Sequence, residues 1–292
     1  AYEQAIQLSP KYAQAWLNKA AFLHDQKQYS QAITAYEVAL KLDPNIHYAA
    51  GEMLHAKMKI CDWNNISVEI NQLERSIAGN QLVSSPFPMV VASASEAINY
   101  QVARLYAKDQ FPVVVKPKFH TKDADQKIRI GYFSNDYFNH ATAFLMAELF
   151  ELHDKRNFEL IAFYSGPADS SNMHKRVASS FDSFIDVRLQ SDRDVALLSR
   201  NIGIDIAIDL TGLTQDQRTG IFSYRAAPIQ VSYIGFPGTM AAKYFDYIIA
   251  DPTLIPIASQ QHYSEKVVYL PNSYQVNDRQ RVISEKVFTK EE

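Results

Sequence analysis

The chain of 292 residues has little cysteine, little net charge and no long apolar run. Its single cysteine, Cys61, has no partner for an intramolecular disulfide and excludes a cysteine-based zinc site, so we expect a reducing, cytoplasmic location. No run reaches the roughly 18 apolar residues that cross a bilayer. A net charge of -3 gives no positive field for phosphates or anionic lipid, so neither nucleic acid nor a membrane is expected as a partner.

Two nucleotide-binding signatures are also lacking. The first predicted strand is followed by no Gly-x-Gly-x-x-Gly pattern, and the sequence contains no Walker loop, so dinucleotide and ATP roles have no support. The composition, 47% hydrophobic and 21% charged, provides buried cores for about two domains. Because the chain begins at Ala1 in mid-pattern without a methionine, we expect a fragment cut at both ends.

A repeat of 34 residues, the tetratricopeptide period, opens the chain. It relates Tyr2 to Tyr36, Glu3 to Glu37, Ala5 to Ala39, Leu8 to Leu42 and Pro10 to Pro44. Large and small residues between these positions predict helices that interlock, at Trp16, Ala20, Tyr29, Ala32 and Tyr36. A third unit starts near Ile46 and loses the pattern at Cys61-Asp-Trp63, as a closing repeat should.

Stacked helix pairs of this kind form a concave groove that suits an extended peptide. Asn18, two residues after Trp16, is a candidate for that groove, because an amide can donate to and accept from a peptide backbone. A solvent-facing asparagine with no role explains the same position equally well.

The remaining chain divides into a linker and a second domain. We expect repeats in residues 1–82, a linker containing one helix in 83–120 and an α/β domain in 121–292. The prolines of Ser84-Ser-Pro-Phe-Pro88 are predicted to break the helical pattern, which resumes from Ser93 to Lys108. Residues 111–117 are predicted to be extended.

Beyond residue 120, β-rich runs alternate with helical runs, which predicts a Rossmann-like parallel sheet with helices on both faces. The predicted strands are 128–134, 158–165, 204–210, 229–234 and 247–250, and the predicted helices are 142–153, 173–181, 192–201 and 215–225. Ligands of such sheets bind beyond the carboxyl ends of the strands. Three loops at those ends are candidates, namely 134–140, 209–214 and 235–239.

Each loop has a functional and a structural explanation. His140, between a strand and a helix, is suited to accept a proton near neutral pH, or is an exposed first-turn residue. The segment Gly235-Phe236-Pro237-Gly238-Thr239 lets backbone approach a ligand, or is a tight turn. Asp209, Thr211, Gly212 and Thr214 offer hydroxyl and backbone contacts in the same crevice.

No metal site is expected. Two Asp-x-Asp strings match a metal motif only superficially. Asp123 and Asp125 lie in a charged linker, and Ser191-Asp-Arg-Asp194 is typical of a helix cap.

The order of motifs resembles the O-linked N-acetylglucosamine transferase family, including its Spindly-type and bacterial relatives. The resemblance covers nearly the whole chain and rests on Cys61-Asp-Trp63, Ile130-Gly-Tyr132, Arg225-Ala-Ala-Pro-Ile-Gln230, Phe236-Pro-Gly-Thr239, Asp246-Tyr-Ile-Ile249 and Gln261-His-Tyr-Ser-Glu-Lys266. It implies repeats followed by the amino-terminal half of a two-Rossmann (GT-B) scaffold. The implied reaction is a metal-independent, inverting transfer from a UDP-sugar to Ser or Thr of a protein, without a cofactor.

The resemblance also implies roles for individual residues. The family has a proposed catalytic histidine in an Asn-His-Pro-Thr context, which is Asn139-His-Ala-Thr142 here, and a Gly-Tyr-Pro-Gly-Thr motif that contacts the sugar, with Phe236 replacing tyrosine. Acceptor peptides would bind along the repeats, where the family has an asparagine ladder. The UDP-sugar would bind mainly to a second lobe beginning after residue 288, so the chain alone should be inactive.

Two departures leave an alternative open: Leu213, where many bacterial relatives have a histidine, and the altered motif Asn139-His-Ala-Thr142. Animal relatives have a histidine where Asp205 stands, but that position looks structural. The competing hypothesis is a peptide-binding adaptor whose α/β domain is not catalytic. Transfer of glucose or fucose is a further alternative, because fold does not determine the donor.

Overall fold

The computed structural model describes residues 2–114, 117–119, 126–281, 285–287 and 289. Helices form the first part: α1 Tyr2–Leu8, α2 Ala13–Asp25, α3 Tyr29–Leu42, α4 Ala49–Lys59, α5 Ile66–Ala78, α6 Pro86–Ala92 and α7 Glu96–Gln110. A parallel sheet with further helices follows. The predicted order, a helical repeat solenoid and then a Rossmann-like α/β lobe, is confirmed.

Small residues let the repeat helices approach closely. Ala20 of α2 and Ala32 and Ala35 of α3 are almost fully buried in one cluster with Tyr36, and Ala39 of α3 is fully buried. This is the interlocking of large and small side chains that the 34-residue period predicts.

The prolines of the linker begin a helix, contrary to the predicted break. Pro86 occupies the first turn of α6, where its missing N–H has no intrahelical acceptor in any case and its fixed φ suits the helix. The helix predicted from Ser93 to Lys108 is α7, and it starts after Ser95, whose hydroxyl accepts from the Ile98 N–H.

The sheet has seven parallel strands in the order β3-β2-β1-β4-β5-β6-β7. They are β1 Ile128–Ser134, β2 Phe158–Tyr164, β3 Ser183–Asp186, β4 Ile206–Asp209, β5 Ile229–Ser232, β6 Tyr247–Ala250 and β7 Lys266–Tyr269. The order reverses between β1 and β4, and this reversal opens a crevice at the carboxyl ends of those two strands.

The helices of the lobe are α8 Ala141–Leu152, α9 Asn172–Ser180, α10 Asp192–Ile202 and α11 Gly220–Ser223, with a 3₁₀ helix at Ile257–His262. One face of the sheet packs on α8 and α9, and the other packs on α10 and α11. Within the described residues, no helix is both long and apolar enough to pass through a lipid bilayer.

The structure corrects three element predictions. The helix predicted at 215–225 is only α11, because Asp216 and Arg225 both adopt left-handed backbone angles, φ 58°. Strands β3 and β7 were not predicted. They lie at the two edges of the sheet and have no fully buried residue, and β3 has only two apolar residues, Phe184 and Ile185.

Helix α7 connects the two parts. Val102 is buried in a cluster with Leu54, Ile77 and Met89 of the repeat side. Ala103 and Ala107, on the same helix, are buried in the core of the α/β lobe. The repeats and the sheet therefore share one helix, which fixes the cleft between them.

Candidate active site

A cleft of about 1290 Å³ separates the repeats from the carboxyl edge of the sheet. Its sheet wall comes from the loops that follow β1, β2, β4 and β5. Its repeat wall comes from α2, α3, α4, α6 and α7. The three candidate loops therefore meet at the reversal of strand order, as the predicted Rossmann-like sheet requires.

His140 lies at this edge as the residue that caps α8. Its Nδ1 accepts from the Thr142 N–H at 3.3 Å, and its side chain is 42% exposed and lines the cleft. The carboxylate of Asp136 approaches the same nitrogen at 3.6 Å. The ring is therefore held by the chain and exposed to the cleft.

The loop after β4 is stabilised by a buried carboxylate. One oxygen of Asp209 accepts from the N–H groups of Thr211 and Gly212, at 2.9 and 3.0 Å. Burial raises the pKa of Asp209 to about 6, and the two N–H groups partly oppose that rise. Asp209 thus shapes the loop, and its side chain does not line the cleft.

Other members of this loop have different surroundings. The hydroxyl of Thr211 is buried 2.9 Å from the side-chain amide of Asn135. Thr214 lines the cleft, and its hydroxyl donates to the Thr211 carbonyl at 3.0 Å. Gly212 has φ 61°, and a Cβ there would lie 2.4 Å from Cβ of Phe236. The loop consequently packs tightly on the next candidate segment.

In the segment from Gly235 to Thr239, only Gly235 lines the cleft. A Cβ on Gly235 would lie 2.1 Å from the Leu210 carbonyl oxygen. The backbone of the β5 loop therefore packs directly against the backbone of the β4 loop, with no side chain between them. Phe236 is buried in the lobe core, Pro237 is exposed and Gly238 packs against the Phe236 ring. Thr239 is buried too.

A buried glutamate, which we did not predict from the sequence, supports this turn. The hydroxyl of Thr239 donates to Glu265 at 2.6 Å, and the Met240 N–H donates to the other oxygen. Burial raises the pKa of Glu265. Its only sequence signal was its place in the Gln261-His-Tyr-Ser-Glu-Lys266 motif.

The repeat wall carries a cluster of rings, of which the sequence indicated only Tyr29 and Tyr36, as packing residues of the repeat. The ring centroids of His24 and His55 lie 5.3 Å apart, and those of His55 and Phe87 lie 5.6 Å apart. The rings of Tyr29 and Tyr36 contact His24. Burial lowers the pKa of His55 to about 4, helped by the charge of Lys59, so this ring is neutral at physiological pH. His24, His55 and Phe87 are far apart in sequence, and only the stacking of helices brings them together.

Asn18 is exposed on α2 and accepts from the Gln14 amide at 2.9 Å. It does not line the cleft itself. Ala21 and Asp25 do, and they follow Asn18 by three and seven residues on the same face of the helix. The predicted groove residue therefore lies on the same helix face as two residues that line the cleft, but outside the cleft itself.

Asp205 and the Ser191–Asp194 string make structural contacts. Asp205 accepts from the Arg129 N–H at 2.7 Å and connects the β4 side to β1. Asp192 pairs with Arg218, and the Ser191 hydroxyl caps α10. Asp123 and Asp125 lie outside the described residues. Within the part that is described, no cluster of three metal-binding side chains occurs.

Comparisons with known protein families and curated sequences agree on one group. The sequence model of glycosyl transferase family 41 matches residues 60–291, and that of the tetratricopeptide repeat matches residues 13–46. The chain is 32% identical over 243 residues to a probable UDP-N-acetylglucosamine–peptide N-acetylglucosaminyltransferase SEC of Arabidopsis thaliana. That match covers 77% of this chain and 25% of the plant protein.

A UDP-N-acetylglucosamine–peptide N-acetylglucosaminyltransferase of Caenorhabditis elegans is 28% identical, with 77% of this chain and 21% of that protein covered. The chain thus spans about a quarter or less of these relatives. Among solved structures, a mutant O-GlcNAc transferase of Thermobaculum terrenum superposes with a TM-score of 0.71 and 22% identity. The superposition covers 94% of this chain and 54% of the solved chain, which shows that the two share a fold.

Proposed function

The chain belongs to glycosyltransferase family 41, and on that premise we propose that it forms the acceptor side of a protein O-glycosyltransferase. The reaction is transfer of N-acetylglucosamine from a UDP-sugar to Ser or Thr of a protein. One observation carries the proposal: an accessible histidine, His140, lies at the reversal of strand order and faces a cleft whose opposite wall is a repeat solenoid.

In this mechanism His140 accepts the proton of the acceptor hydroxyl. The acceptor oxygen forms a bond to the anomeric carbon as the bond to the diphosphate breaks, and UDP leaves with the electron pair. A single displacement of this kind inverts the anomeric carbon. The backbone at Gly235 and the side chain of Thr214 contact the sugar, since both line the cleft beside His140.

The donor binds mainly to a second α/β half that lies outside residues 1–292. The length of the curated relatives, about four times the matched region, supports this part of the proposal. The acceptor peptide lies along the concave face of the repeats, past Asn18. We further propose that the reaction requires neither a metal ion nor another cofactor, and that it takes place in the cytoplasm.

The test is a transfer assay with a protein that contains residues 1–292 and the donor half. We expect transfer from UDP-N-acetylglucosamine to a Ser-containing peptide in excess EDTA, detected as a mass increase. His140→Ala should lower kcat by about 10²- to 10⁴-fold. Its stability should change by about 1 kcal/mol or less, because its capping hydrogen bond is long.

The matched control is His47→Ala, which removes an exposed histidine of the repeat side. It should leave kcat unchanged. Full activity in the His140 variant would refute the assigned base, and transfer that stops in EDTA would refute the metal-free mechanism. Faster transfer from UDP-glucose or GDP-fucose would show that the donor is that sugar nucleotide, and it would leave the proposed acceptor side unchanged.

A second candidate function, a peptide-binding adaptor, is favoured by one observation. Leu213 is buried in the lobe core where many bacterial relatives have a histidine, so this cleft lacks a polar side chain at that point. Retention of peptides without any transfer, in the protein with both halves, would support the adaptor.

A further inference from the structure

The Nδ1 atom of His140 lies between a hydrogen-bond donor, which requires it to be unprotonated, and a hydrogen-bond acceptor, which requires it to be protonated. The Thr142 N–H lies 3.3 Å away and can only donate to this nitrogen. The Asp136 carboxylate lies 3.6 Å away and, when ionised, can only accept from it. A neutral imidazole carries its proton on one nitrogen, so the two contacts exclude each other.

Each contact selects one tautomer of the ring. When Nδ1 accepts from Thr142, the proton is on Nε2, and Nε2 has no lone pair free for a substrate. When Nδ1–H donates to Asp136, the lone pair of Nε2 is free. Among the described residues Nε2 has no hydrogen-bond partner, and the ring lines the cleft. Only the second tautomer lets the accessible nitrogen act as a base.

We propose that Asp136 is a positioning residue that holds His140 in the Nδ1–H tautomer and so makes Nε2 the base of the reaction. This inference rests on the proposed function of His140. When Nε2 takes the acceptor proton, the ring becomes a cation whose Nδ1–H faces the carboxylate, and opposite charges at this distance stabilise each other. Asp136 remains ionised and does not take the proton.

The surroundings of Asp136 suit this role. Its side chain is 13% exposed, and its backbone N–H donates to the Ser134 hydroxyl at 3.0 Å, which fixes the loop at the end of β1. Five charged or titratable groups interact with it: His140 and Tyr137 on its own loop, Asp209 and Asp216 on the β4 loop, and Tyr164 at the end of β2. Burial and Asp216 raise the pKa of Asp136, and His140 opposes that rise.

The contact with Thr142 is the competing state, and its geometry is weak. A distance of 3.3 Å is long for an N–H donor, and the N-terminus of a helix can satisfy its N–H groups with water. The Asp136 contact, at 3.6 Å, is itself longer than a hydrogen bond, so a small rotation of the imidazole has to bring Nδ1–H onto the carboxylate.

The first test measures the tautomer directly, in the chain of residues 1–292 and without any substrate. The ¹⁵N chemical shifts of labelled His140, recorded at alkaline pH where imidazole rings are neutral, report the fraction of Nδ1–H. We expect this tautomer to predominate in the wild type. In Asp136→Asn the Nε2–H tautomer should predominate, because the amide NH₂ donates to Nδ1 and the side chain has lost its charge.

Asp216→Asn is the matched control. It removes the same charge from a neighbouring loop without touching the imidazole, so the tautomer ratio should stay at its wild-type value. An equal change in both variants would show a general electrostatic effect and overturn the inference. An unchanged ratio in Asp136→Asn would overturn it as well.

The second test uses the protein that also contains the donor half. Asp136→Asn should lower kcat by about 10- to 1,000-fold, with the KM for the peptide within about threefold of wild type. Asp136→Glu should recover part of kcat, and Asp216→Asn should retain it. A change confined to KM would refute the positioning role. If no variant shows transfer, the proposed function fails, while the tautomer measurement still decides the role of Asp136.

Discussion

At the scale of single residues, the buried carboxyl group of Asp209 makes the stability of the fold depend on pH. Its side chain is 4% exposed, and burial raises its pKa to about 6 from a usual value of 3.8. Because the folded pKa is the higher one, the group stabilises the fold fully below about pH 3.8. That contribution is lost as the pH rises through about 6.

We therefore expect Asp209→Asn to remove this pH dependence. The amide oxygen can still accept from Thr211 and Gly212, but it never ionises. Between pH 4 and pH 8 the free energy of unfolding of the variant should rise relative to wild type by about 3 kcal/mol at most, from about 1.4 kcal/mol per pKa unit. Urea unfolding at a series of pH values measures the difference.

Asp251→Asn provides a control of opposite sign. The N–H groups of Tyr274, Leu254 and Thr253 lower the pKa of Asp251, so its contribution is present above its unfolded pKa and is lost on acidification. This variant should lose stability relative to wild type as the pH rises from 3 to 5. A pH-independent difference for Asp209→Asn would contradict the explanation given for Asp209.

The sequence placed the candidate residues in loops that line the cleft, but it could not tell which side chains face it. His140, Thr214 and Gly235 line it, whereas Phe236 and Thr239 point into the core. In a strand, side chains point to the two faces of the sheet alternately, with a period of two residues. A loop has no such period, so the direction of its side chains cannot be predicted from the sequence. Asp136 was missed, although it precedes His140 by only four residues.

At the scale of elements, the cap of α10 is a prediction that the structure confirms and that an experiment can quantify. The Ser191 hydroxyl accepts from the Asp194 N–H at 3.2 Å and donates to the Asp194 carboxylate at 2.6 Å. We expect Ser191→Ala to lower the free energy of unfolding by about 1 kcal/mol, because a helix N–H loses its acceptor. Thermal or urea unfolding measures this.

Ser179→Ala is the matched control, since Ser179 is exposed and its hydroxyl donates back to a carbonyl of its own helix. It should change stability by about 0.5 kcal/mol or less. Equal effects of the two substitutions would refute the importance of the cap.

The central elements were predictable because each has a strong local signal. The strands β1, β2, β4, β5 and β6 are buried and apolar, and the repeat helices follow a 34-residue period. The exceptions follow from context. Pro86 looked like a helix breaker and begins α6, and the edge strands β3 and β7 depend on their neighbours for pairing.

At the scale of the whole molecule, the shared helix α7 should make the repeats and the sheet unfold together. Val102 belongs to one core, and Ala103 and Ala107 belong to the other. Two hydrogen bonds add to this connection, from Tyr48 to Asp109 at 2.6 Å and from Gln217 to Tyr106 at 3.0 Å. Loss of either core would uncover one face of the helix.

The prediction is tested by Ile77→Ala, which empties a fully buried position on the repeat side. It should cost about 2–5 kcal/mol and speed hydrogen exchange of the amides of β1 and β4 as well as those of α5. Val195→Ala, a buried change on the sheet side, should reciprocally speed exchange in α5. Exchange that accelerates only on the mutated side would show two independent units.

The dual role of α7 also sets an order of events during synthesis on a ribosome. Residues 2–92 leave the exit tunnel before α7, so the face around Val102 can close onto its partners as soon as it emerges. The face around Ala103 and Ala107 has to wait, because Phe133 is made later and Ala207, Phe222 and Phe245 much later. A nascent chain that pauses before β4 therefore displays an uncovered apolar stripe, which is a natural target for a chaperone.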